Sequence, residues 1–196
     1  MRTILSLPSL LLAGLLCGPS EPSAQAVATN LPHHLQWESA MQAFEASDKT
    51  NPPPRNAILL IGSSSIRLWK DAPAQFPKHR LINRGFGGSH LSDSVAFVDR
   101  IVVPYQPKLV LLYAGDNDIA AGKTPEQVFA DFKAFVAKVR GALPDTRIAY
   151  IAIKPSPSRV KLMDQFKTAN RSIQEFSDAD PKLSYVDVFT PMLGAD

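Results

Sequence analysis

The sequence predicts an α/β protein: a three-layer α/β/α sandwich around a central five-stranded parallel sheet. Three observations carry that expectation. Five short apolar runs alternate with helix-like segments between residues 57 and 189, the pattern of strands joined by helical crossovers. The third run, Lys108–Gly115 (KLVLLYAG), is apolar at successive positions, as a strand covered by helices on both faces must be. Three of the runs end in polar, glycine-marked loops, and parallel strands bring such loops to one edge of the sheet.

The elements follow in order. Residues 1–26 stand apart from the domain. Arg2 precedes an apolar stretch from Ile4 to Leu16, and Ala24-Gln25-Ala26 places small residues at the −3 and −1 positions of a cleavage site. This is the layout of a secretory signal peptide. The stretch is too short to span a bilayer comfortably, and Pro8 interrupts it. Lipidation at Cys17 is disfavoured by Leu16, because the preceding position calls for a small residue. Residues 27–55 form an N-terminal segment in which Leu35, Met41 and Phe44 are spaced as on an amphipathic helix. The prolines of NPPPRN then stop the helix. Ala57–Gly62 is the first strand and SIRLWKDAPAQF a helix ending by Pro77. HRLINRG is the second strand. LSDSVAFVDRIVVPY reads as one helix, with Leu91, Val95, Val98 and Val102 on one face. After the third strand, Thr124 is a helix N-cap, Pro125 the first helical residue, and Gly141 and Pro144 the close. RIAYIAIK, KLMDQFKTANRSIQEFSDAD and KLSYVDVF supply strand, helix and strand.

The 196 residues suffice for one domain with a sizeable core, and neither an internal repeat nor a second-domain linker interrupts them. Hydrophobic residues make up 45% and charged residues 20%, with a formal net charge of +3. Charges alternate in sign, and no basic stripe carries interleaved aromatics, which argues against nucleic-acid binding. Removing the leader takes one cation, Arg2, one anion, Glu21, and the single cysteine. The mature chain then has no thiol, disulfide or thiolate metal site, so its stability rests on a core.

The three loops hold the chemistry. They are Gly62-Ser63-Ser64-Ser65, NRGFGGSH with Gly85, Gly87 and Gly88, and YAGDNDIA with Asp116, Asn117 and Asp118. Acyl transfer needs a nucleophile, a base and donors aimed at the developing oxyanion. A serine at a strand-to-helix turn offers a hydroxyl and its own N–H. A glycine in the next loop brings a second N–H close without a side chain, and an asparagine amide adds a third donor. Each residue also has a plainer reading. Ser64 could be a helix cap, and Ser63 and Ser65 read as cap and turn residues. GFGG could be only a glycine-rich turn, since it lacks dinucleotide-binding spacing, and Asn117 could be a turn residue. Asp116 and Asp118 read as a capping and loop-ordering pair rather than a cation site. His90 lies two residues past Gly88 with Asp93 near, but reads as a surface histidine. His33 and His34 read as solvated. Arg159 either meets an anionic group in the pocket or is a solvated loop residue.

With those blocks in view, the sequence resembles the SGNH hydrolases, the GDSL esterase/lipase superfamily, from about Trp37 to the C-terminus. Gly62-Ser63-Ser64 stands at the Gly-Asp-Ser block, with Ser63 replacing the usual aspartate. NRGFGGS is similar to the second block and GDND to the Gly-x-Asn-Asp block. The resemblance implies a flavodoxin-like SGNH hydrolase fold, Ser64 as nucleophile, and Gly88 and Asn117 as oxyanion-hole residues. It implies no cofactor and no metal. The substrate is then a small-molecule, glycan or lipid ester, handled without nucleic acid or a stable membrane span. The family's last block, Asp-x-x-His, has no counterpart here. The histidines are His33, His34, His79 and His90. Residues 56–196 are accordingly expected to be a C-terminally incomplete esterase domain, with the last helix missing and almost no turnover. The expected function is that of an exported serine esterase, periplasmic or extracellular. The alternative is a non-catalytic exported ligand- or glycan-binding module on the same scaffold.

Overall fold

A computed structural model describes residues 32–194. The expected leader and Cys17 lie outside the described residues.

His33–Trp37 form a 3-10 turn that leads into α1 (Glu38–Thr50). The sheet contains β1 (Ile58–Gly62), β2 (Leu81–Gly85), β3 (Leu109–Tyr113), β4 (Arg147–Ile151) and β5 (Leu183–Val186). All neighbours pair in parallel, in the order β2-β1-β3-β4-β5. The register is level where it matters for function: Gly62 pairs with both Gly85 and Tyr113, so β1, β2 and β3 end together.

Period-two alternation sends side chains to the two faces in turn. Leu59, Ile61, Val110, Leu112, Ile148 and Tyr150 belong to the main core, together with Met41 of α1 and residues of the helices described next. Those helices are α4 (Leu91–Ala96), α5 (Val98–Ile101), α7 (Pro125–Ala142) and α8 (Met163–Asp178); α2 (Ser64–Leu68) and α3 (Ala72–Gln75) precede α4, and α6 (Asp116–Ala120) lies between α5 and α7. On the other face, Leu60 and Tyr113 meet Ile66 of α2 and Ala72 of α3 in a smaller cluster. Helices thus flank a five-stranded parallel sheet, the architecture the alternation predicts. A short α9 (Phe189–Met192) follows β5.

Two predicted helices are broken. SIRLWKDAPAQF divides into α2 and α3 because Trp69 leaves helical geometry (ψ 65°) and Pro73 opens a new turn. LSDSVAFVDRIVVPY bends at Phe97 into α4 and α5, then tightens into a 3-10 turn over Val103–Tyr105, where Pro104 removes a donor. The predicted apolar face survives the break: Leu91, Val98 and Val102 are fully buried. The N-terminal segment is tied to the domain by charge as well as by Met41. Arg100 of α5 donates to Glu38 and Glu45 of α1, and Arg84 of β2 pairs with Asp48. Among the described residues, no helix is long and apolar enough to cross a membrane.

Candidate active site

Backbone constraints build the site. Gly62 has φ +134°, and a Cβ there would lie 1.9 Å from the Tyr113 carbonyl oxygen, so only glycine lets β1 end this close to β3. The Ser63 N–H donates to that carbonyl at 2.9 Å. The chain then turns directly into α2. Ser63 occupies the N-cap position, and its carbonyl accepts the N–H groups of Ile66 and Arg67. Its side chain does not act as a cap: it is buried, and its hydroxyl has no partner. Ser64 is the first residue of α2, half-buried, in the turn whose N–H groups lack helical acceptors. No hydrogen bond engages its hydroxyl among the described residues.

The second loop is pressed onto the first. The Phe86 N–H donates to the Gly62 carbonyl at 2.9 Å, and a Cβ on Gly85 would fall 2.2 Å from the Arg67 nitrogen. Gly88 has φ +84° and lies beneath the Trp37 indole, 3.4 Å from where a Cβ would stand. Beside it runs a groove of about 460 Å³, lined by Trp37, Ala40, Phe44, Arg67, Phe86 and Gly87.

The third loop is fastened to the second through Asn117. Its Nδ2 donates to the Ser89 carbonyl, next to Gly88, at 3.1 Å. Arg159, from the loop after β4, donates to Asn117 Oδ1 at 2.7 Å and to Asp116 Oδ2 at 2.8 Å. Arg159 is thus neither solvated nor turned to a group from outside the chain; its guanidinium is committed to Asp116 and Asn117. The other Asp116 oxygen is buried without a partner. Asp118 is fully buried, accepts the Leu91 N–H at the start of α4, and accepts Lys123 Nζ at 2.9 Å. Burial pushes its carboxyl above the usual carboxylate range, against the pull of Lys123. The two aspartates therefore tie loops together, Asp116 through Arg159 and Asp118 through the Leu91 N–H and Lys123. Under the third loop, the buried Tyr150 hydroxyl donates to the Ala114 carbonyl at 2.6 Å, and burial raises its pKa well above the ordinary value. Through these contacts the loops carrying Ser64, Gly88 and Asn117 lie at one sheet edge.

The histidines depart from the sequence reading. His33 is not simply solvated: its Nδ1 lies 3.0 and 2.9 Å from the two Asp93 oxygens. Its ring stacks on His90 at 3.9 Å and 6°. His34 meets Phe97 edge-on at 5.6 Å. His90 is half-buried, and burial lowers its imidazole pKa. Sixty residues separate His33 from Asp93, and no local pattern signals their meeting. After β5, Asp187 accepts the N–H groups of Phe189 and Thr190 at 2.9 and 3.0 Å, and no histidine follows His90 in the sequence.

Fold and site together define a parallel α/β protein whose three polar strand-end loops converge beside an apolar groove. The chain belongs to the GDSL-like lipase/acylhydrolase family, whose sequence model matches residues 61–196. Its fold is that of solved structures of low sequence identity. A candidate platelet activating factor from Streptococcus pneumonia is 20% identical, with a TM-score of 0.72 over 89% of this chain and 85% of that one. A GDSL-like lipase from Bacteroides thetaiotaomicron is 18% identical, with a TM-score of 0.67 over 79% and 81%. A mutant acetyl-xylooligosaccharide esterase from Geobacillus is 14% identical, with a TM-score of 0.57 over 70% and 78%. No curated protein matches the sequence.

Proposed function

We propose that this protein is an exported serine esterase that forms an acyl-enzyme on Ser64. One observation carries the reading: Asn117 bonds to the carbonyl beside Gly88 at the edge where the register ends β1, β2 and β3 together. In this reading Ser64 attacks the ester carbonyl. The N–H groups of Ser64 and Gly88 and the Asn117 amide receive the oxyanion, replacing water with fixed donors. The groove beside Trp37 receives the acyl group. Export follows from the leader at residues 1–26. No Asp-x-x-His occurs in the 196 residues, so turnover by these residues alone is low. In serine proteases a site stripped of its triad retains about 10³–10⁴-fold catalysis over water.

The test supplies the base from outside. The protein is incubated with p-nitrophenyl acetate and imidazole, and acetylation is mapped by mass spectrometry. An acetyl group on Ser64, absent in Ser64→Ala, supports the esterase. A second reading is an exported ligand- or glycan-binding module using the same loops. That reading gains if the ester binds and Ser64 stays unmodified under imidazole.

A further inference from the structure

We infer that His33, His90 and Asp93 form a binding site for a divalent transition-metal cation of the Zn²⁺ class. The three side chains come from two places. His33 lies in the 3-10 turn before α1, and His90 and Asp93 lie at the start of α4. Their ligand atoms all lie within 4.8 Å of one another. The donor set of two imidazoles and one carboxylate suits a borderline cation and not Ca²⁺ or Mg²⁺, which take oxygen ligands.

The carboxylate is prepared for the task. The Asp93 side chain is 2% exposed. Its Oδ2 accepts the His90 N–H at 2.8 Å and the Trp37 Nε1–H at 3.3 Å. Those donors hold the carboxylate in place, as outer groups do around a metal ligand. His33 Nδ1 bridges both oxygens, 3.0 Å from Oδ1 and 2.9 Å from Oδ2, and among the described residues Oδ1 meets nothing else. That contact is the one a cation would replace, taking the place of the imidazole proton. Ligand atoms about 2.1 Å from a tetrahedral ion lie about 3.4 Å apart. Binding therefore asks the His33–Asp93 pair to open by a few tenths of an ångström. It asks the His90 nitrogen to close by no more than about 1.5 Å. It also asks the two rings, stacked at 3.9 Å and 6°, to rotate out of parallel so that both ring planes contain the ion, a turn open to a His33 side chain that is 45% exposed. The exposed side leaves a coordination position for water.

Bound there, the cation clamps the turn before α1 onto α4. It sits next to Trp37, which covers Gly88, and so stiffens the second loop. This inference does not depend on the esterase reading.

The full chain is titrated with Zn²⁺, and separately with Ca²⁺, with melting temperature and indole fluorescence as readouts. Trp69→Phe leaves Trp37 as the sole tryptophan among the described residues. Zn²⁺ is expected to raise the melting temperature and change Trp37 emission, and Ca²⁺ to do neither. His33→Ala and Asp93→Asn should each weaken Zn²⁺ by more than about tenfold, the least seen on losing even an outer-shell partner. Asp93→Asn keeps acceptors for the two N–H groups, and His33 is exposed, so both variants should fold. His34→Ala should bind as the wild type does. An unresponsive wild type, an equal response to Ca²⁺, or undiminished binding in His33→Ala or Asp93→Asn would overturn the site.

Discussion

At the scale of single residues, the site depends on positions where one atom too many would not fit. Gly62 is the sharpest case, because its missing Cβ would meet backbone, which cannot swing aside as a side chain can. Gly62→Ala combines that clash with an unfavourable φ of +134° and should cost at least about 2 kcal/mol. Urea unfolding checks it, and an unchanged midpoint would refute the close approach of β1 to β3. Arg159 presents a different dependence. It fixes which end of the Asn117 amide points to Ser89, because its guanidinium donates to Oδ1 while Nδ2 donates to the carbonyl. Arg159→Ala frees that amide and leaves both Asp116 oxygens without a partner. Imidazole-supported acetylation of Ser64 is then expected to slow about tenfold, less than the 10²–10³ seen on deleting an oxyanion donor outright. Arg159→Lys should recover little, since one ammonium cannot serve both Asp116 and Asn117 in a fork. An unchanged acetylation rate in Arg159→Ala would detach Asn117 from the oxyanion. The convergence of the loops that carry Ser64, Gly88 and Asn117 is legible in the sequence, because each loop follows a short apolar strand of one parallel sheet. Arg159 is legible there only as a charge, because its partners lie 42 and 43 residues away.

At the scale of elements, legibility tracks how local the determining physics is. Helix α7 announces both of its ends. The Thr124 hydroxyl accepts the Gln127 N–H, and the Gln127 side chain accepts the Thr124 N–H in return, a complete capping box. Thr124→Ala should therefore cost about 1 kcal/mol, measured by thermal or urea unfolding, and Thr124→Ser should restore most of it. The five strands are equally plain, since short apolar runs between turn residues leave few alternatives. The broken helices are not. Phe97 carries no helix-breaking signature; the chain bends there, with the ring buried edge-on against Phe86. Short α6, which begins just after the αL residue Gly115, is hidden inside a motif that reads as a loop. His33 is the extreme instance. A 3-10 turn with no buried residue gives no periodic signal, and its partners Asp93 and His90 are defined only by how α4 docks.

At the scale of the whole molecule, carboxylate–arginine ties join parts that the apolar core alone does not fix. Arg100 links α5 to α1 through Glu38 and Glu45, and Arg140 links α7 to Asp180, at the turn before β5. Hydrogen bonds from Arg100 hold Glu38 and Glu45 below the usual carboxylate range, and those from Arg140 do the same for Asp180. The direction fixes the pH dependence. A carboxylate with a lowered folded pKa contributes stability that is fully present above its unfolded pKa, about 3.9 for Asp and 4.3 for Glu. That contribution is lost as pH falls to the lower folded value, because over that interval the unfolded state takes up a proton that the folded state resists. The melting temperature should thus be flat with respect to these groups above about pH 5 and fall on acidification below about pH 4. Asp180→Asn removes one titrating group and should flatten the acid limb, leaving the melting temperature near pH 2 little changed. The side chains of Glu38 and Glu45 are 40% and 42% exposed against 28% for Asp180, so about 1 M salt, which shortens the screening length to about 3 Å, should weaken their share more than that of Asp180. Melting curves from pH 2 to 7 at two salt concentrations separate the ties, and an acid limb of equal steepness in wild type and Asp180→Asn would show that Arg140 does not hold α7 to the β5 turn.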